Sequence, residues 1–328
     1  MVKQDENNWK QLLIEFGKTK YREIIVLSVG TLIQIPMLFF NLSEGDSFRF
    51  SQTTIVVREY LNNGINIKMP FPIFGTNSFI PFEFPLFQII ASSIGSLLDL
   101  DALVATRFSA LIFFQGTAIL VYLLAKKWFS VDVALICAVL FQFLPFGLKF
   151  AHSPMIEFAA TFFILLAVLS FDKVYLKTNI FVQILLMLLA SVSLVLGFLI
   201  KVTTGIALLP LLLIPMFTIL RSNNNTIWKS LRLFNIAGSV IVSALAVNLW
   251  NEFSDSVKRE NPITAYLVSS SPQMREWNFG TLQDRLDPKT WVTVYFQYLG
   301  PITSGLLALV ILTYFSFKYF SLSKLTPL

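Results

Sequence analysis

The chain has 328 residues, 55% of them apolar and only 13% charged, with a net charge of +6. A soluble domain carries about 25% charged residues, and several apolar runs here reach the ~20 residues that a bilayer-crossing helix needs. The composition therefore excludes an ordinary soluble protein and points to an all-α polytopic membrane protein.

In chain order, residues 1–23 are polar and lack a small-residue cleavage site, so they read as a retained cytoplasmic tail rather than a signal peptide. The first span is Ile24 to Phe40. Lys3, Lys10, Lys18, Lys20 and Arg22 precede it, which places the N-terminus in the cytoplasm and the following loop outside. This first outer loop, 42–102, is the most polar long stretch in the first two thirds of the chain. Within it, Phe48 to Asn62 carries Phe50, Val57, Tyr60 and Leu61 at helical spacing, opposed by Arg49, Gln52, Arg58 and Glu59. Phe84 to Leu98 is too short to span, because 15 residues cover only about 22 Å of a core about 30 Å thick. It is expected to be interfacial or re-entrant.

The remaining expected spans are Leu103–Ala125, Val131–Leu148, Ile156–Phe171, Ile180–Ile200, Gly205–Leu220, Phe234–Trp250 and Tyr298–Phe317. That makes about eight, with Lys126/Lys127, Lys173/Lys177, Arg221/Lys229/Arg232 and Lys318/Lys324 all in the cytoplasm. The transmembrane domain is expected over 24–318, with a second outer loop at 251–297 and a cytoplasmic tail at 319–328. The lysines and arginines at span ends account for the positive charge, so no nucleic-acid partner is implied. The lone Cys137 excludes an internal disulfide, and the lone His152 excludes a multi-histidine metal site. No Gly-rich phosphate motif or zinc-protease helix occurs.

The outer face collects the residues suited to chemistry. Asp46 either caps the amphipathic helix or, held just above the membrane, takes a proton from an acceptor hydroxyl; Glu44 can share that role. Glu83 sits in Pro-Phe-Glu-Phe-Pro (81–85). It either caps the next helix or holds Arg49, Arg58 or a substrate group. His152 and Glu157 bracket a turn between spans. Lys201 follows about twenty apolar residues and precedes Val-Thr-Thr-Gly. It is either a snorkelling lysine or a point-charge partner for phosphate. Arg107 opens a span and can pair with Asp99 or Asp101. In the second outer loop, Trp277 to Pro288 mixes aromatic and charged residues, which can anchor in the membrane interface or stack on a sugar ring.

The order of these segments resembles the C-type glycosyltransferase (GT-C) fold. It comprises a span, an acidic motif, a flat helix ending in Arg-Glu-Tyr-Leu-x-x-Gly (58–64), Glu-Phe-Pro-Leu (83–86), Arg107 opening a span that ends in Tyr-Leu-Leu-Ala-Lys-Lys (122–127), Met-Ile-Glu (155–157), Lys-x-Thr-x-Gly (201–205) and Trp-Asn-Phe-Gly-Thr (277–281). It is most similar to bacterial relatives of the protein O-mannosyltransferases and the lipid A aminoarabinose transferase, glycosyltransferase family 39. The resemblance implies a GT-C-like bundle whose first outer loop carries interfacial helices. It also implies transfer of a sugar from a polyprenyl-phosphate donor to a lipid, glycan or protein acceptor at the extracytoplasmic face of the cell membrane. Asp46 is then the general base, Glu83 a catalytic-site organiser, and Lys201 the phosphate partner. Arg49, Gln52, Arg58, His152 and Glu157 are the further substrate-binding candidates. Gln52 occupies the place where the relatives' motif has an acid, which leaves Asp46 to supply the base. No cofactor is implied; an acid pair with one histidine can hold a divalent cation, but no ligand set has metal spacing. The competing classes are an inactive or truncated GT-C-like scaffold and a carrier-lipid or solute transporter. A transporter places ionisable residues at mid-membrane, whereas here they cluster at one face.

Overall fold

The computed structural model describes residues 21–39, 47–75, 78–143, 147, 150–174, 179–222, 226–294 and 296. Glu44 and Asp46, the expected last span Tyr298–Phe317, the C-terminal tail and all but the end of the N-terminal tail lie outside the described residues. So do the side chains of Trp277 to Phe279.

The described chain is helical throughout, and its one β-type pairing is an isolated bridge between Pro70 and Phe79. Helix α1 (Arg22–Gln34) tightens into a 3₁₀ turn (Ile35–Phe39) at Pro36, which has no N–H to continue the α pattern. The amphipathic helix expected in the first loop is α2 (Ser47–Asn63). It buries Val56 and Tyr60 against the loop's own core of Met69, Phe71 and Ile80. The short helix α3 (Leu86–Leu98) ends at Asp99 in the left-handed conformation, which an aspartate tolerates. Two residues later Asp101 caps α4 (Ala102–Trp128), accepting from the N–H groups of Leu103 and Val104. Asp99 and Asp101 thus build the reversal between two helices.

Next come α5 (Val131–Phe143), α6 (Glu157–Val174) and α7 (Ile180–Ile200). The segment expected as Gly205–Leu220 is broken in two. Helices α8 (Val202–Leu208) and α9 (Leu213–Arg221) are joined by a 3₁₀ turn (Leu209–Leu212) at Pro210. Helix α10 (Thr226–Arg259) runs 34 residues, about 51 Å, and is longer than expected at both ends. Its last turns enter what the charge pattern assigned to the second outer loop. That loop continues with the short helices α11 (Pro272–Phe279), α12 (Leu282–Leu286) and α13 (Pro288–Val294).

Among the described residues five helical stretches are long and apolar enough to cross a membrane: Arg22–Phe39, Ala102–Trp128, Ile180–Ile200, Val202–Arg221 and Thr226–Arg259. Helix α6 is shorter and carries Glu157, Asp172 and Lys173 at its ends, yet it is the most enclosed element. Ala159, Ala160, Ala167 and Val168 are fully buried there between α4, α7, α8 and α9. Lipid gives no hydrophobic force between helices, so close backbone approach and dispersion must hold them together. Gly197 of α7 provides that approach: a Cβ there would stand 2.6 Å from Ile164 Cγ1 and 3.2 Å from the Ala160 carbonyl. The core beneath the loop face is largely phenylalanine, with Phe87, Phe114 and Phe158 from α3, α4 and α6. Phe114 and Phe158 meet edge to face at 4.7 Å, an arrangement favoured by the ring quadrupole.

Polar contacts sort the helix ends into two groups. At one end of the bundle Lys126 pairs with Glu23 at 2.9 Å, Arg22 with Asp132 at 2.6 Å, and Lys127 with Asp172. At the other end Arg107 donates to the Leu38 carbonyl at 3.0 Å, and Lys201 reaches both Glu83 and Glu157. Consecutive long helices therefore alternate in direction, as the charge pattern requires.

Candidate functional site

The segment 81–85 has two prolines, which cannot donate backbone hydrogen bonds, and it is irregular, bending at Glu83 and turning at Pro85 into α3. Three contacts hold it. The Phe84 N–H donates to the Leu199 carbonyl at 3.1 Å. Trp250 Nε1 donates to the Phe82 carbonyl at 3.1 Å, and the Ser254 hydroxyl donates to the Pro81 carbonyl. The first contact lays Glu83 beside the end of α7. There Lys201 adopts an extended backbone between α7 and α8, so its side chain leaves the helix at the bundle mouth.

Glu83 is the centre of an ion cluster. Its Oε1 accepts from Lys201 Nζ at 2.6 Å and from Arg49 Nη1 at 3.3 Å. Lys201 also stands 3.9 Å from Glu157 Oε1. The four side chains come from the end of α7, the start of α2, the 81–85 segment and the first residue of α6. The two lysine and arginine charges balance the two carboxylates. Glu83 and Lys201 are mostly shielded, whereas Arg49 keeps 33% of its side chain exposed. A guanidinium has five N–H donors, and among the described residues only one from Arg49 is used. The cleft lined by Arg49, Gln52, Glu83, Gln88 and Glu157 has a volume of about 10 Å³, room for about one water.

Burial pushes the Glu83 carboxyl up, but the Lys201 ammonium and then the Arg49 guanidinium outweigh that and hold it below its ordinary value of 4.5. A carboxylate so held is a weak proton acceptor; it orients cations. Because its folded pKa is depressed, its stabilisation is fully present above about pH 4.5 and is lost as pH falls through the lowered value. The melting temperature of the wild type should therefore exceed that of Glu83→Gln by a constant margin from about pH 5.5 to 8, closing only below about 4.5. A margin that disappears between pH 6 and 7 would contradict the cation pairing.

Of the residues singled out in the sequence, Arg49, Gln52, Glu83, Glu157 and Lys201 come together here. Glu83 is not a helix cap: α3 has Pro85 at that position and no side-chain cap. Arg58 is not brought in. It lies nine residues after Arg49 on α2, about 180° around the helix, and is exposed. His152 is buried at 2% exposure rather than lining the cleft, and among the described residues neither ring nitrogen has a hydrogen-bond partner. Burial, with the Arg107 charge adding to it, pushes its pKa down, so the ring is neutral at pH 7. Asp46 lies outside the described residues. Its flanks are Phe39, next to Leu38 at Arg107, and Ser47, two residues before Arg49. No group of three or more His, Cys, Asp or Glu side chains among the described residues is placed to hold a metal.

Sequence reasoning overlooked the end of α10. Trp250, Ser254 and Lys258 follow one stripe at i, i+4 and i+8, the first two clamping the Glu83 segment from behind. Lys258 is 4% exposed, lies 5.1 Å over the Phe82 ring and stands 3.9 Å from Asp255. Asp255 in turn accepts from Ser269 N–H at 2.8 Å and from its hydroxyl at 2.6 Å. Asn261 donates to the Ser78 hydroxyl at 3.1 Å, so the two segments expected as outer loops touch. The stripe and the i, i+3 pair Asp255/Lys258 were visible signals; assigning the span end to Trp250 hid them.

A family model described as dolichyl-phosphate-mannose-protein mannosyltransferase matches residues 84–255, just over half the chain. The matched stretch contains Glu157, Lys201, Trp250 and Ser254 and begins one residue after Glu83. No curated protein and no solved structure matches the chain.

Proposed function

The chain belongs to the dolichyl-phosphate-mannose-protein mannosyltransferase family of membrane glycosyltransferases, and on that premise we propose that it transfers mannose from a polyprenyl-phosphate carrier to a protein hydroxyl at the extracytoplasmic face. The family description supports the choice of donor and acceptor. The observation that carries the site is the Arg49–Glu83–Lys201 cluster at one end of the bundle. The basic span ends at 126–127 and 173 gather at the opposite end, which by the positive-inside rule is the cytoplasmic one.

In this reading the donor phosphate docks on Arg49, whose fork suits a phosphate and whose remaining donors are free among the described residues. Lys201, held by Glu83 and Glu157, keeps positive charge beside it. The acceptor oxygen attacks the anomeric carbon, the bond from that carbon to the phosphate oxygen breaks, and the carrier leaves as polyprenyl phosphate. The acceptor proton passes to the Asp46 carboxylate. Preset cations offset the charge that develops on the leaving phosphate. A single displacement inverts the anomeric centre. Asp46 is three residues from Arg49, so its backbone is within about 11 Å of that of Arg49.

The test is transfer of radiolabelled mannose from a polyprenyl-phosphate carrier to a serine/threonine peptide by membranes that contain the chain. Label in the peptide, above membranes lacking the chain, is the expected result. A well-folded chain that transfers none would favour a scaffold.

A further inference from the structure

A second site lies at the opposite ends of the helices. A groove of about 530 Å³ runs between α7 and α10, its lining mostly apolar, with Ile184, Met187, Phe234 and Val242 among the side chains. One charge enters it. Arg232 is 6% exposed and donates from Nη2 to Gln183 Oε1 at 3.1 Å. Its Nε and Nη1 are buried and, among the described residues, have neither a hydrogen-bond partner nor a carboxylate within ion-pair reach. The Asn235 Oδ1 one turn along is likewise buried without a donor. A desolvated guanidinium without an anion is costly in a membrane protein, and a resident anion removes that cost.

The groove's dimensions select the anion. From Arg232 to Val242 the helix rises about 15 Å, half of a core about 30 Å thick. That is the depth of one leaflet. Trp228, 45% exposed, sits at the mouth where an interfacial aromatic belongs. Midway, a Cβ on Gly238 would meet nothing within 4 Å, so the groove is open there. We propose that this groove binds one anionic phospholipid of the leaflet at the Lys126/Lys127 end. Its phosphate pairs with Arg232 and one acyl chain lies along the face that contains Gly238. A headgroup or glycerol hydroxyl suits the Asn235 acceptor. Nothing in this site depends on the transferase chemistry at the other ends of the helices.

The experiment is native mass spectrometry of the full chain extracted from nanodiscs of phosphatidylcholine and phosphatidylglycerol with matched acyl chains. The wild type should retain one phosphatidylglycerol in preference to phosphatidylcholine. Arg232→Gln should cut that retention about tenfold, the worth of one charge-assisted hydrogen bond. Gly238→Phe, which fills the open groove without touching the guanidinium, should cut it as far. If Arg232→Gln elutes as aggregate, Gly238→Phe decides alone. Equal retention of both lipids, no retained lipid, preference for added polyprenyl phosphate, or a Gly238→Phe chain that still holds phosphatidylglycerol would each overturn the proposal.

Discussion

Glu83→Gln is expected to lower mannosyl transfer about 100-fold and to lower the melting temperature of the detergent-solubilised chain. The carboxylate is the common partner of Lys201 at 2.6 Å and Arg49 at 3.3 Å. Its removal leaves Arg49 without an ion-pair partner among the described residues and the almost fully shielded Lys201 with only Glu157 at 3.9 Å. Breaking a buried pair from one side typically costs about 3–5 kcal/mol, most of it the penalty of the charge left behind. With Arg49 a third exposed, the lower figure applies. About 2.7 kcal/mol of lost transition-state stabilisation corresponds to the 100-fold effect. A paired measurement separates the two contributions: thermal unfolding reports the fold, and single-turnover transfer at saturating donor reports the site. Wild-type turnover in Glu83→Gln would remove the cluster from the mechanism, because the substitution keeps shape and deletes only charge.

Asp46→Asn should leave the fold intact and reduce kcat by about 10²–10⁴, with KM for the donor nearly unchanged. A general base acts on the acceptor proton in the transition state and adds little to donor binding. Three features favour Asp46 for the proposed role. Gln52, which lines the cleft, has no basic oxygen able to take a proton at neutral pH. Glu83 is held ionised by two cations. Glu157 is 3.9 Å from Lys201, which leaves Asp46 as the nearest acid along the chain to Arg49. Equal kcat in the two proteins would pass the role to Glu44 or Glu157, and the same substitution at each would then locate it.

The two substitutions differ in a way that tests the division of labour. Loss of an orienting carboxylate moves both stability and turnover, whereas loss of a base moves turnover alone. A stability loss in Asp46→Asn as large as that in Glu83→Gln would mean that Asp46 is structural.

Much of this architecture is legible from local chemistry. Membrane residence follows from apolar content, and the direction of each helix follows from where lysine and arginine stand, because charge does not cross a bilayer cheaply. The helix of 47–63 shows in its 3.6-residue pattern, and the short 86–98 helix shows in its length. Glu83 and Lys201 stood out as charges in apolar surroundings, Arg49 as part of the polar face of the first-loop helix, and Glu157 at a turn between spans. Their partnership did not, since Glu83 and Lys201 are 118 residues apart and no spacing rule reaches that far. Only packing brings them together: Gly197 lets α7 lie close on α6, and the Phe84 to Leu199 hydrogen bond sets the 81–85 segment beside Lys201. The same packing turned Arg58 outward, buried His152, carried α10 nine residues past its expected end and left Arg232 without a carboxylate among the described residues. The sequence by itself determined that this is a multi-pass helical membrane protein whose long helices alternate in direction, because hydropathy and charge act locally on each segment. Which residues form a site was decided by the tertiary structure, because an ion pair depends on ångström-scale distances between helices that are remote along the chain.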